Sequence, residues 1–194
     1  MKYRLKQKGK LMFELPEYHE IPNVGLYLEQ TLKYINETFS AFRSVELTKS
    51  MISNYVKLGY IRRPVKKQYD REQIASLLFI AVSKQVLSME NIGKFFRMQQ
   101  EVLSAEEAYT AFRGDFDYLL DIVWNQKMMG EEDVALLTQP AGPDGSERLP
   151  DNGKEAYALL WQVASADAYS IFLNELFESV SDKDAAGRKV KEKT

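Results

Sequence analysis

Residues 48–80, TKSMISNYVKLGYIRRPVKKQYDREQIASLLFI, combine a short polar helix pattern, a basic segment with one proline and the start of an apolar helix. Thr48 is a suitable N-cap for a helix over about residues 48–58, and Gly59 suits the left-handed position that follows a helix. Pro64 keeps the next segment extended, and Asp70 with Gln73 forms a capping-box pattern ahead of the apolar helix. The stretch therefore predicts a helix, a basic extended segment and a second helix.

The 48–58 helix has two chemically distinct faces. Its apolar side chains, which are expected to face a core, are Ile52, Tyr55, Val56 and Leu58. The other face is small, polar and weakly basic, and it carries Lys49, Ser50, Ser53, Asn54 and Lys57. Ser and Asn can reach base edges in a major groove, whereas Lys meets phosphates. A preceding helix, this helix and a basic wing over about residues 60–69 would form a winged helix-turn-helix.

Helical spacing recurs along most of the chain, so the predicted fold class is mostly α. A helix is expected over residues 24–42 with Asn23 as its N-cap, and others over about 71–86, 89–98 and after a Ser104–Glu107 capping box. A loop is predicted over 139–153, where Pro, Gly, Asp and Asn cluster, followed by a long helix over about 154–180. The basic N-terminal residues could form either a strand or a disordered arm.

Charge is distributed unevenly between the two halves of the chain. Residues 1–100 contain 17 Lys and Arg against 9 Asp and Glu, whereas residues 101–194 contain 9 against 19. Near-neutral overall composition therefore conceals a basic half, with a net charge of +8, and an acidic half, with a net charge of −10. Such a split either marks a polyanion-binding face or is uneven surface charge without function.

The pattern MISNYVKLGYIRRP…YDREQIASLLFIAVSKQVLSMENIGKFF resembles the MerR-type winged helix-turn-helix. The similarity lies in the order of the elements. A recognition helix with Ile52 and Tyr55 ends in LGY, and a proline-containing wing follows it. Tyr69 then precedes an acid-capped helix, which is followed by an LSMENI turn. Including ELP before a long helix, the arrangement is still more similar to a family of uncharacterised bacterial proteins, mostly Gram-positive, that is grouped with MerR-like domains. Where typical MerR helices carry arginines, this chain has Ser50 and Ser53, and its wing is shorter.

The resemblance implies four segments and a set of DNA contacts. The segments are a basic arm and lead-in (1–22), a MerR-like winged helix-turn-helix domain (23–100), an acidic helical dimerisation or effector module (101–180) and a polar tail (181–194). The expected partner is double-stranded DNA, and two half-sites imply a homodimer, with a small-molecule effector on the acidic module as a further partner. The expected DNA contacts are Thr48, Lys49, Ser50, Ser53, Asn54, Lys57, Arg62, Arg63, Lys66, Lys67 and Tyr69.

Other chemistry has little support in the sequence. The chain has no Cys, which excludes disulfides and thiolate metal sites and fits a reducing cytoplasm. Its apolar runs are far shorter than the roughly 20 residues of a membrane-spanning helix, and no nucleotide-binding motif occurs. The expectation is a cytoplasmic transcription regulator with no catalytic residue, metal or cofactor. The alternative is a protein-interaction or small-ligand module that keeps the winged-helix shape without binding DNA, and an enzyme is a weaker third option.

Overall fold

The computed structural model describes residues 4–7, 10–125 and 156–174. This part of the chain is mostly helical, which confirms the predicted class. Its elements are β1 (Arg4–Gln7), β2 (Lys10–Met12), β3 (Leu26–Tyr27), α1 (Leu28–Thr38), α2 (Lys49–Lys57), β4 (Gln68–Tyr69), α3 (Arg71–Ser83), α4 (Met89–Gln100), α5 (Ala105–Asn125) and helical residues 156–174, here α6. The predicted loop at 139–153, the polar tail and the outer ends of the last helix lie outside the described residues.

Two small antiparallel pairs supply the β structure of the described residues. β1 pairs with β2, so the basic N-terminal segment forms a hairpin. β3 pairs with β4, with Leu26 opposite Tyr69 and Tyr27 opposite Gln68. This second pair joins the predicted wing to the residues just before α1.

Local capping signals place most helix starts as the sequence predicts. The hydroxyl of Thr48 accepts a hydrogen bond from the Met51 amide, and α2 starts at the next residue. Asp70 and Gln73 each accept the other's amide hydrogen, at 2.9 and 3.0 Å, which is the predicted capping box of α3. Ser88 caps α4 and the Ser104–Glu107 box precedes α5 in the same way.

The predicted limits of α1 are wrong at both ends. The helix starts at Leu28 with Tyr27 as its N-cap, not at 24 with Asn23, because pairing with β4 holds residues 26–27 extended. It ends at Thr38 instead of 42, and residues 39–48 form an irregular loop. The Asn36 side chain holds this loop by bonding both the N–H and the C=O of Leu47 at 3.0 Å.

α3 lies at the centre of the molecule, since nearly every residue from Gln73 to Ser83 is buried. It packs on α1 and α5, and α6 fills the remaining side with fully buried Leu160 and Trp161. One hydrophobic cluster runs from Phe13 to Ile171. The segments predicted as a DNA-binding domain and an acidic module therefore share this core.

A strap formed by residues 13–21 ties the start of the fold to its later helices. The Leu15 amide donates to both carboxylate oxygens of Asp117, at 3.0 and 3.2 Å, and the Leu15 carbonyl accepts from Arg113 Nε at 2.8 Å. The guanidinium of Arg71 donates to two carbonyls near the other end of the strap, at 2.9 and 3.0 Å. Arg71 is thus committed to the fold, although it belongs to the basic stretch.

Candidate nucleic-acid interface

α2 presents the face that its sequence predicts. Ile52 and Tyr55 are buried, while the outward side consists of the exposed residues Lys49, Ser50, Ser53, Asn54 and Lys57. The prediction for Leu58 is wrong, because this side chain is 50% exposed, and Val56 is only partly buried. No acid occurs between residues 48 and 58, so the exposed face of this helix is polar and basic.

The two ends of α2 are fixed by different devices. Thr48 is exposed, but its hydroxyl caps the helix and lies 2.9 Å from Ser50 Oγ, so both hydroxyls belong to the first turn. At the other end Gly59 has a φ of +78°, and the amides of Gly59 and Tyr60 bond the carbonyls of Val56 and Tyr55. This Schellman arrangement confirms the predicted role of Gly59 and directs the chain into the basic segment.

Of three basic residues predicted to contact DNA, two already form ion pairs within the described residues and one does not. Lys49 forms an ion pair with Glu29 of α1, and Arg62 lies 3.2 Å from Asp70 and 2.7 Å from Glu72. Arg63 is exposed and forms no ion pair within the part of the chain that the structure describes. Exposed ion pairs of this kind are worth about 0–1 kcal/mol, so a phosphate can replace either carboxylate partner.

The basic segment ends in a tight left-handed turn at Lys66 and Lys67. Their φ angles are 50° and 65°, and the Gln68 amide bonds the Val65 carbonyl at 2.9 Å across the turn. Positive φ at both central residues is typical of a type I′ hairpin, where Asn and Gly are usual. Each non-glycine residue in this conformation costs roughly 1–2 kcal/mol. Both lysines are exposed and lack an acidic partner among the described residues.

The predicted DNA contact of Tyr69 is wrong. This residue is only 5% exposed, because its strand pairs with β3 and turns the ring into the core. Burial raises the pKa of its hydroxyl. Tyr69 therefore anchors the hairpin in the core.

A short path of contacts connects the first turn of α2 with the lysine turn. Lys49 pairs with Glu29, which is two residues beyond Tyr27, and Tyr27 lies opposite Gln68 in the β3–β4 pair. Gln68 directly follows Lys67. The start of α2 and the hairpin are therefore both linked to the start of α1.

Comparison with known proteins identifies the region that contains these residues. A family model described as "Domain of unknown function (DUF1836)" matches residues 16–112, which is half of the chain. The chain belongs to the DUF1836 family. No curated protein and no solved structure matches it.

The DUF1836 region contains every predicted DNA contact and extends from the strap to the first turns of α5. It also contains an open groove between α3, α4 and α5 with a cavity volume of about 80 Å³. Phe79, Phe96 and Phe112 line this groove, with the amide side chain of Gln99 at one side. The sequence gives no sign of this cavity, since its walls come from three separate helices.

Buried carboxyl groups lie at the border of the DUF1836 region, and sequence reasoning missed them. Asp115 accepts a hydrogen bond from Tyr157 at 3.3 Å, and burial raises its pKa to about 7. Burial likewise raises the pKa of Asp117 to about 7 despite its bonds to the Leu15 amide. These two carboxyls contact different partners. The sequence around Asp115 and Asp117 does not indicate that their carboxyl groups are buried, because burial depends on the segments packed against the helix.

Among the described residues no group of three or more His, Cys, Asp or Glu could hold a metal ion. In the same part of the chain, helices long and apolar enough to cross a bilayer do not occur.

Proposed function

We propose that this DUF1836 protein is a DNA-binding transcription regulator of the MerR-like winged helix-turn-helix type, acting in the cytoplasm. In this proposal α2 lies in the major groove, and the lysine turn at 66–67 acts as a short wing on the phosphate backbone. Supporting features are the order of β3, α1, α2, hairpin, α3 and α4, together with the basic composition of residues 48–71. A protein reading two half-sites would act as a homodimer.

One observation carries the proposal: an exposed helix face with no acidic residue of its own, linked through the start of α1 to a lysine turn held at positive φ. Strained backbone persists where the surrounding fold enforces it, and such positions cluster at functional sites. Two lysines in place of Asn and Gly give up local stability, and in return they concentrate two charges at the tip. A loss of stability in return for charge is expected where the turn contacts phosphate. A turn that is only solvated gains nothing from the two charges.

The first test separates local phosphate contact from general charge attraction. Genomic DNA selection supplies a preferred site, and binding isotherms are then measured across a salt series. Replacing Lys66 and Lys67 together by Ala should reduce the salt slope by about two, since each lost phosphate contact removes roughly 0.9. The matched control replaces Lys94 and Arg97, two exposed cations of α4, and should leave the slope unchanged. Equal slopes for both pairs would refute the wing.

The second test concerns base readout by α2. Asn54 is exposed, and its amide can pair with adenine N6 and N7, so Asn54→Ala should cost about 1–3 kcal/mol on the selected site. The same change should matter much less on random DNA. Lys49→Ala should weaken both about equally, because a lysine at the helix start meets the backbone. Unchanged affinity of Asn54→Ala for the selected site would remove α2 as the reader.

A small-ligand or protein-binding module remains the second candidate, and the groove between α3, α4 and α5 favours it. Four aromatic rings contribute to its walls, and Gln99 offers a donor and an acceptor, as in many small-molecule sites. A ligand there could act as the effector of a regulator or as the sole partner of a module without DNA. If the wild-type protein shows no preference among DNA sequences, a small-ligand or protein-binding module is the better explanation of the structure.

A further inference from the structure

α6 has an unusual outward face. Residues 156–174, AYALLWQVASADAYSIFLN, contain one charged side chain, Asp167, and that side chain is fully buried. A surface helix of a globular protein usually carries its charged residues on the side that faces solvent. The solvent side of α6 therefore carries no charge at all over these described residues.

The exposed residues of α6 form a regular seam. They are Leu159, Gln162, Ala166 and Tyr169, and half-buried Leu173 continues the series. The steps of three, four, three and four residues are the spacing of the contact positions in a two-helix coiled coil. Leu159 and Tyr169 are each 40% exposed, so the seam presents large apolar groups to solvent. The core-facing stripe, which includes Trp161, Ala164 and Ala168, lies on other sides of the helix.

The two leucines of the seam are placed symmetrically about Ala166. Leu159 and Leu173 each lie seven residues from Ala166, one on either side. In an antiparallel pair with Ala166 on a two-fold axis, Leu159 would meet Leu173 of the partner subunit. The small central side chain allows the two backbones to approach closely. A patch that matches itself in this way is what an isologous dimer interface requires.

We propose that two copies of this chain associate through the seam of α6, antiparallel, with Ala166 at the two-fold axis. Nineteen helical residues give a strip about 28 Å long, and stable interfaces bury about 600–1,000 Å² on each partner. A strip of this length and one helix diameter wide, about 10 Å, covers roughly 280 Å², so neighbouring surface has to contribute to the contact. Tyr118 of α5 supplies exposed aromatic surface beside α6, since its ring is 46% exposed and lies 6.3 Å from that of Trp161. This inference is independent of DNA binding.

The first experiment measures the mass of the full chain by sedimentation between about 1 and 100 μM. The wild type should be a dimer in this range, and Ala166→Glu should weaken association at least tenfold. Ala105→Glu is the matched control, since this exposed position opens α5 and tolerates an acid there. Far-UV circular dichroism verifies that each variant is folded, and Tyr169→Glu serves as a second seam variant if Ala166→Glu is not.

Two charge designs then test the geometry. Neither Ala166→Glu nor Ala166→Lys should associate alone, but their equimolar mixture should form a heterodimer. The double variant Leu159→Glu with Leu173→Lys should dimerise, whereas each single variant should not, because only antiparallel pairing brings the opposite charges together.

Three results would overturn the proposal. The first is a wild type that is still monomeric at 100 μM. Coverage of the seam by another part of the same chain would give this result. Another is a dimer that tolerates Ala166→Glu as well as Ala105→Glu, and the third is failure of both charge designs. DNA affinity is measured separately, so loss of either proposal leaves the other open to its own test.

Discussion

Asp167 of α6 makes the stability of the fold depend on pH in an unusual direction. Its carboxyl group is fully buried, with one oxygen 2.6 Å from the Ser83 hydroxyl and the other without a partner. Burial raises its pKa from 3.8 to about 8, and no charged group opposes the effect. The folded protein therefore keeps this acid neutral at pH 7, whereas the unfolded chain ionises it.

The sign and size of the effect follow from proton linkage. Below about pH 4 both states hold the proton, and the contribution of Asp167 to stability is fully present. As the pH rises towards 8, only the unfolded state releases the proton, and the free energy of unfolding falls by about 1.4 kcal/mol per pH unit. Asp167→Asn keeps the shape of the neutral acid but cannot ionise. Relative to wild type, it should gain about 3 kcal/mol of stability between pH 5 and 7.

Urea unfolding at pH 5, 6 and 7, followed by tryptophan fluorescence at one fixed protein concentration, measures this gain. A fixed concentration matters because self-association would add to apparent stability. Ser83→Ala supplies a second comparison in a series extended to pH 8 and 9: the Ser83 bond lowers the pKa of Asp167, so its loss should extend the decline in stability to higher pH. A difference between Asp167→Asn and wild type that stays constant with pH would refute the reasoning.

Two further pairs of substitutions test the packing and the turn. Gly93→Ala in α4 should destabilise the fold by about 1–3 kcal/mol in a urea titration, because the added methyl would overlap the ring of Tyr60, whereas Gly114→Ala meets no atom within 4 Å and should gain about 0.5–1 kcal/mol. Equal effects of the two would contradict the packing. Lys66→Asn with Lys67→Gly should stabilise the protein by about 1–2 kcal/mol yet weaken DNA binding, whereas alanines at both positions should weaken binding without the gain.

Features set by neighbouring residues were predictable from the sequence. Thr48 and Asp70 cap their helices through amides three residues away, and Gly59 ends α2 through its own backbone angle. The outward face of α2 followed from periodicity in the same way. These features depend on a few adjacent side chains, and the chemistry of those side chains is visible in the sequence.

Features set by distant residues were not predictable. Tyr27 is extended because it pairs with Gln68, and the same pairing buries Tyr69, which the sequence had offered as a DNA contact. The ion pairs of Arg62 with Asp70 and Glu72 likewise depend on how the basic segment folds back. Each involves a contact between elements, and periodicity within one element carries no information about it.

The hydrogen bonds between Leu15 and α5 show that the family segment and the packed part of the chain do not have the same limits. The recognisable family segment runs from 16 to 112, yet Leu15 lies just before it, and its partners Arg113 and Asp117 lie just after it. The segment's two ends are thus fastened together by residues outside its borders. A gene fragment trimmed to those borders would lose the fastening and the α6 side of the core. The segment that the family model recognises is therefore shorter than the part of the chain that packs around the common core.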